Sequence, residues 1–177
     1  MEVVDGRGLM FFEIARIARD KQPALVIMEN VKGLVGHDKG RTLDTIVRTM
    51  SEIGYAIDFE VLNSKFYGVP QNRERIFIMA VRKDIQPGEP WTAEALKGQT
   101  VIPKGKRRIA AYPEVRTFNY PFPKNVTVEK VLADVLEDSV DESFYLDDEK
   151  VAKLVADLAV NEVSEPVPVL TPDRAEK

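Results

Sequence analysis

The chain has 177 residues, 44% of them hydrophobic and 31% charged, the balance of a globular protein with its own core. It has no cysteine, which excludes disulfides, thiolate metal ligands and a cysteine nucleophile, and its one histidine, His37, leaves no histidine-rich metal centre or histidine-based triad. No apolar run approaches the roughly 18 residues of a membrane span and the opening Met1-Glu2-Val3-Val4-Asp5 is no leader peptide, so a cytoplasmic protein without membrane attachment is expected.

Residues 8–20 (GLMFFEIARIARD) place Leu9, Phe12, Ile14 and Ile17 on a helical stripe, and Pro23 stops the helix. Residues 24–28 (ALVIM) form a short continuous apolar run, as in a strand buried on both faces. Gly33, Gly36 and Gly40 mark a loop, residues 42–53 return to helical spacing, and Gly54 is placed to end that helix. Two further strands, 56–62 and 75–81, are joined by the loop 63–74. Helix, strand, helix, strand, strand is the grammar of an α/β sheet. Residues 84–125 carry proline, glycine and basic residues with little periodicity and are expected to be a basic loop or insertion. Within them, 103–124 hold six Lys/Arg against one Glu, with Tyr112, Phe118, Tyr120 and Phe122 interleaved. Such a stretch can track a phosphate backbone or can simply be a solvated loop. Residues 126–160 read as helical and acidic, and 161–177 as a disordered tail.

Three strings bear on chemistry. Met28-Glu29-Asn30-Val31 sits at the carboxyl end of the first strand, where open α/β sheets bind ligands. A carboxylate there can serve as a general acid, or it can merely cap the following loop. Tyr67-Gly68-Val69-Pro70-Gln71-Asn72-Arg73-Glu74-Arg75-Ile76 lies between two strands, so that its arginines can emerge at the same sheet end as Glu29. Arginine suits a phosphate or a base carbonyl, though a basic surface turn has the same composition. The third string, residues 33–42 (GLVGHDKGRT), imitates a phosphate loop but lacks the G-x-x-x-x-G-K-[ST] spacing, which excludes nucleotide hydrolysis of that type. His37 is then a loop hydrogen-bonding residue rather than a ligand, and no metal is expected.

In this order and spacing, Arg7-Gly8 with Phe11-Phe12-Glu13-Ile14, then Glu29-Asn30-Val31-Lys32-Gly33-Leu34, then Gln71-Asn72-Arg73-Glu74-Arg75, the chain resembles the DNA cytosine-5 methyltransferases. The resemblance runs over residues 5–83 and more loosely over 118–154. It implies a partial Rossmann-like sheet of about three strands with flanking helices, plus an irregular and helical carboxyl-terminal region. Residues 1–83 would be the central part of the catalytic domain, and 126–160 would lead towards target recognition. It implies a bacterial enzyme of restriction-modification or protective type that flips a cytosine out of double-stranded DNA and methylates its carbon 5 from S-adenosylmethionine. Glu29 would act at the base's N3 and Arg75 at its O2 with Arg73 alongside, while Asn30 would fix the local backbone and Met10 would lie against the cofactor. The family's cysteine nucleophile and glycine-rich cofactor loop have no counterpart here. The chain alone is therefore expected to be inactive and to require the missing amino-terminal half, as a separate polypeptide or in a longer chain. The alternative is a decayed, non-catalytic DNA-binding or interaction module using residues 103–124.

Overall fold

A computed structural model describes residues 6–85, 88–126, 128 and 130–160, with side chains outside 6–9 and 157–160. The chain divides into two compact units, Met1–Asp134 and Val135–Lys177.

The first unit begins with helix α1 (Gly6–Lys21), strand β1 (Leu25–Val31), two 3₁₀ turns (Lys32–Val35 and His37–Gly40) and helix α2 (Arg41–Glu52). Strands β2 (Tyr55–Asn63) and β3 (Glu74–Arg82) follow, then helix α3 (Val101–Ala110). The sheet order is β1-β3-β2, with β3 antiparallel to both neighbours, so β1 and β2 run parallel to each other. The expected α/β class and the three strands are present.

Alternation along the strands separates two faces. One carries Val26 and Met28, Ile76, Ile78 and Ala80, and Tyr55, Ile57, Phe59 and Val61, and packs against α2 through Leu43, Val47 and Met50. These three α2 side chains are fully buried at the i, i+4, i+7 spacing of one helix face. Each contributes about 1.5–3 kcal/mol by leaving water. Gly54 ends this helix at φ +106°, a conformation that costs glycine nothing.

Two expectations about burial are corrected. On α1 the inward residues are Ala15, Ala18 and, partly, Phe11, whereas Phe12, Ile14 and Ile17 of the expected stripe are exposed. Small alanines let the helix approach the core closely and leave the larger side chains outside. β1 is likewise not buried on both faces: Leu25, Ile27 and Val31 are exposed, and among the described residues no strand pairs with its outer edge.

The opposite edge of the sheet is covered. The Ile57 amide donates to the Arg116 carbonyl (2.9 Å) and the Phe118 amide to the Ile57 carbonyl (3.2 Å), while Phe118, Tyr120 and Phe122 pack on Ala56 and Met79. Residues 84–125 are thus not a loose basic loop. They contain α3 and bury Trp91, Ile109 and Phe118. Lys106, expected on a basic surface, is buried with its ammonium 2.8 Å from the Asp58 carboxylate. Asp58 also accepts hydrogen bonds from the Trp91 indole (2.7 Å) and the Tyr120 amide (2.8 Å). A buried pair survives only with its remaining valences satisfied in this way. Arg108 is similarly engaged, with Asp44 at 2.8 Å.

Among the described residues after Val126, the first assigned element is a 3₁₀ turn, Leu132–Val135, in place of the expected helix. The second unit holds a 3₁₀ turn, Glu142–Phe144, and helix α4 (Asp148–Val160). The tail predicted at 161–177 lies outside the described residues.

Candidate active site

The β1–β3 ladder places Val31 opposite Arg75 and Glu29 opposite Phe77. Side chains on directly opposed residues share a face, so Glu29 and Arg75 are diagonal neighbours on the face away from the α2-covered core. They meet: Arg75 Nε stands 3.0 Å from Glu29 Oε1, with the arginine side chain 23% exposed and the glutamate 49%. A second Arg75 nitrogen, Nη1, donates to the Glu74 carbonyl at 2.9 Å, which turns the guanidinium edge towards β1. Because β3 is antiparallel to β1, its first residues lie at the carboxyl end of β1, and the two sequence strings converge there.

One step outward, Lys32 Nζ donates to both oxygens of Glu74, each at 2.9 Å. Two ion pairs therefore cross the β1–β3 seam with opposite polarity, acid to base at Glu29–Arg75 and base to acid at Lys32–Glu74. Neither Lys32 nor Glu74 stood out in sequence as a site residue; the signal lay in their adjacency to the motif residues, but the register that pairs them is tertiary.

Asn30 points to the opposite face of β1, and its side-chain oxygen accepts from the Val31 amide at 2.8 Å. Arg73 is exposed just ahead of β3, its amide donating to Asn63 Oδ1 at 3.2 Å. Asn63 is a residue that sequence reasoning passed over. Nearly buried at the end of β2, it also accepts from the Lys65 amide (3.2 Å) and donates to Asn72 (2.6 Å). With Ser64, whose hydroxyl donates to the Gln71 carbonyl at 2.6 Å, it pins both ends of the arginine-bearing loop. His37 is a loop hydrogen-bonding residue, with Nδ1 2.7 Å from the Thr42 hydroxyl.

The carboxylate and guanidinium of the Glu29–Arg75 pair satisfy each other. A planar ligand offering an acceptor beside a donor or protonatable nitrogen can separate them and bond both. Half exposed, the pair is worth no more than about 1 kcal/mol, so parting it costs little.

The model of the C-5 cytosine-specific DNA methylase family matches residues 2–163. The chain belongs to that family. Among its relatives, the orphan methyltransferase M.SPBetaI of Bacillus phage SPbeta is 46% identical over 170 residues, 93% of this chain and 38% of the relative. The orphan methyltransferase M.SPRI of Bacillus phage SPR is 40% identical over 161 residues, covering 91% of this chain and 36% of that protein. The type II methyltransferase M.HhaI of Haemophilus parahaemolyticus is 49% identical over 81 residues, 46% of this chain and 25% of its own length. The chain thus spans well under half the length of these relatives.

Met10, the residue expected against a cofactor, lies on α1 and is 65% exposed. One exposed apolar side chain makes no cradle for S-adenosylmethionine, so the described residues by themselves do not fit that group. Among the described residues no group of three or more acidic, histidine or cysteine side chains converges as a metal site. No described helix is long and apolar enough to cross a membrane.

Proposed function

We propose that this chain supplies the pyrimidine-gripping part of a DNA cytosine-5 methyltransferase. Carbon 5 of cytosine is a poor nucleophile until carbon 6 has been attacked by a thiolate, which makes carbon 5 enamine-like. That addition is eased when N3 receives a hydrogen bond or proton and when the charge building on O2 is stabilised. Glu29 acts at N3 and Arg75 at O2 of a base flipped from duplex DNA. Asn30 braces the strand end and Arg73 adds positive charge beside the pocket. The observation that carries this reading is the Glu29–Arg75 contact at 3.0 Å, at the carboxyl end of β1, within a family-matched segment. In the complete enzyme S-adenosylmethionine supplies the methyl group, and Met10 alone, exposed on α1, is no cradle for it.

The chain has no cysteine, and it is proposed to be inactive without the remainder of the enzyme. That remainder docks along the free edge of β1, covering Leu25, Ile27 and Val31, and on the α1 stripe of Met10, Ile14 and Ile17, all exposed apolar residues. The proposed setting is a bacterial or phage cytoplasm, in restriction-modification or self-protection.

The test is methyl transfer from labelled S-adenosylmethionine to duplex DNA, by this chain alone and mixed with the polypeptide encoded immediately upstream. Activity confined to the mixture is the expected result. Activity by the chain alone would overturn the proposed dependence, and silence from folded protein in both would overturn the enzymatic reading.

A further inference from the structure

The loop leaving the carboxyl end of β1 holds three successive residues at positive φ: Asp38 at 51°, Lys39 at 56° and Gly40 at 93°. Residues with a Cβ adopt this conformation only where the surroundings over-determine it. Here the surroundings do. Arg108 of α3 lies across Gly40, where an added Cβ would stand 2.3 Å from the guanidinium carbon. Its Nη2 donates to the carbonyls of Val35 and Gly40, each at 3.3 Å, and its Nε donates to Asp44 at 2.8 Å. The other Asp44 oxygen accepts from the Tyr112 hydroxyl at 3.0 Å. Asp38 is held in turn by Arg41, whose Nε donates to it at 2.8 Å.

This frame fixes Lys39 on a cavity of about 410 Å³ lined by Val35, Gly36, Lys39, Val101, Lys104 and Arg108. The lining has no acidic residue, and the neighbouring carboxylates, Asp38 and Asp44, are already matched by arginines. Among the described residues Lys39 and Lys104 form no ion pair, so the cavity keeps an excess of positive charge. It also has no aromatic ring on which a base could stack, which favours a phosphodiester over a nucleotide.

We propose that this cavity binds a backbone phosphate of duplex DNA between Lys39 and Lys104, setting the duplex relative to Glu29 and Arg75. The proposal rests on the reading of the substrate as DNA. It reassigns the basic stretch: Lys106 and Arg108 hold the fold together, and Lys104 joins a lysine from a different part of the chain to make the contact.

The experiment is fluorescence anisotropy of a short labelled duplex titrated with the full chain at several salt concentrations. Each phosphate contact contributes about 0.9 to the slope of log affinity against log salt, so Lys104→Gln should flatten the slope by about that amount. Lys39→Asn with Lys104→Gln should weaken binding further but flatten the slope by no more than about 0.9 in all, because both lysines hold the same phosphate. Asparagine tolerates the left-handed backbone at position 39, and Lys104→Gln lies on an exposed helix face, so at least one variant keeps the fold. Unchanged slopes in both variants, with Arg73→Ala still weakening binding, would overturn the phosphate site and leave the DNA reading standing. Failure of the wild-type chain to bind duplex even at low salt would overturn the phosphate site on this chain, while the methyl-transfer assay of the mixture decides the DNA reading separately.

Discussion

At the scale of single residues, Glu29 is partnered and half exposed, and its proposed importance arises only as charge develops on the base. Glu29→Gln in the reconstituted enzyme is therefore expected to reduce kcat far more than DNA affinity, by about 100-fold or more, the usual weight of one acid–base group. A single-turnover assay beside a binding titration checks this, and wild-type turnover would remove Glu29 from the mechanism. Glu60 on β2 behaves differently. Burial pushes its carboxyl up, outweighing the amide of Val61 and the charge of Lys106. A carboxyl with a folded pKa above its unfolded one binds more protons when folded, so it favours the fold in acid and opposes it as pH rises. Glu60→Gln should raise thermal stability at neutral pH and leave it unchanged below the ordinary carboxylate range. Equal melting-temperature shifts at both pH values would contradict this.

At the scale of elements, two pairs of strands and helices are fastened by charges of different worth. The Lys32–Glu74 link between the turn after β1 and the start of β3 has both side chains 43% exposed, which limits it to about 1 kcal/mol. Lys32→Glu is expected to slow methyl transfer by up to about fivefold through misplacement of Arg75. Adding Glu74→Lys should restore much of that loss; a double variant as slow as the single one would show that the pair does not position the site. The Asp58–Lys106 link between β2 and α3 is buried, 2% and 7% exposed. Lys106→Met strands a buried carboxylate and should cost about 3–5 kcal/mol, measured by urea denaturation. A loss below 1 kcal/mol would mean that water reaches Asp58.

At the scale of the whole molecule, the sheet is asymmetric. Its β2 edge is closed by residues 116–118, whereas β1 presents an unpaired edge among the described residues, with Ile27 58% exposed. An open apolar edge promotes association. The isolated chain should self-associate as its concentration rises. Ile27→Lys should suppress this, with sedimentation velocity as the readout. A monomer at all concentrations in both forms would argue that the edge is not sticky.

The order of helices and strands from α1 to β3 was legible in sequence because apolar periodicity and glycine or proline stops act locally, whereas α3 was not, its face being set by Asp58 and Asp44. The family was legible because the order and spacing of the quoted strings match it, and the match over residues 2–163 bears out that resemblance. Burial was not legible in the same way. Leu25, Ile27 and Ile17 are as apolar as core residues, yet which face of an element meets a partner depends on neighbours distant in the chain. The basic stretch deceived for the same reason: composition registers the charge of Lys106 and Arg108, but only tertiary contact brings Asp58 and Asp44 to neutralise them. Sequence by itself determined which residues stand near the strand ends and what chemistry they can do. Register across β1 and β3 decided that Glu29 meets Arg75, because a one-residue slip would send either side chain to the other face of the sheet.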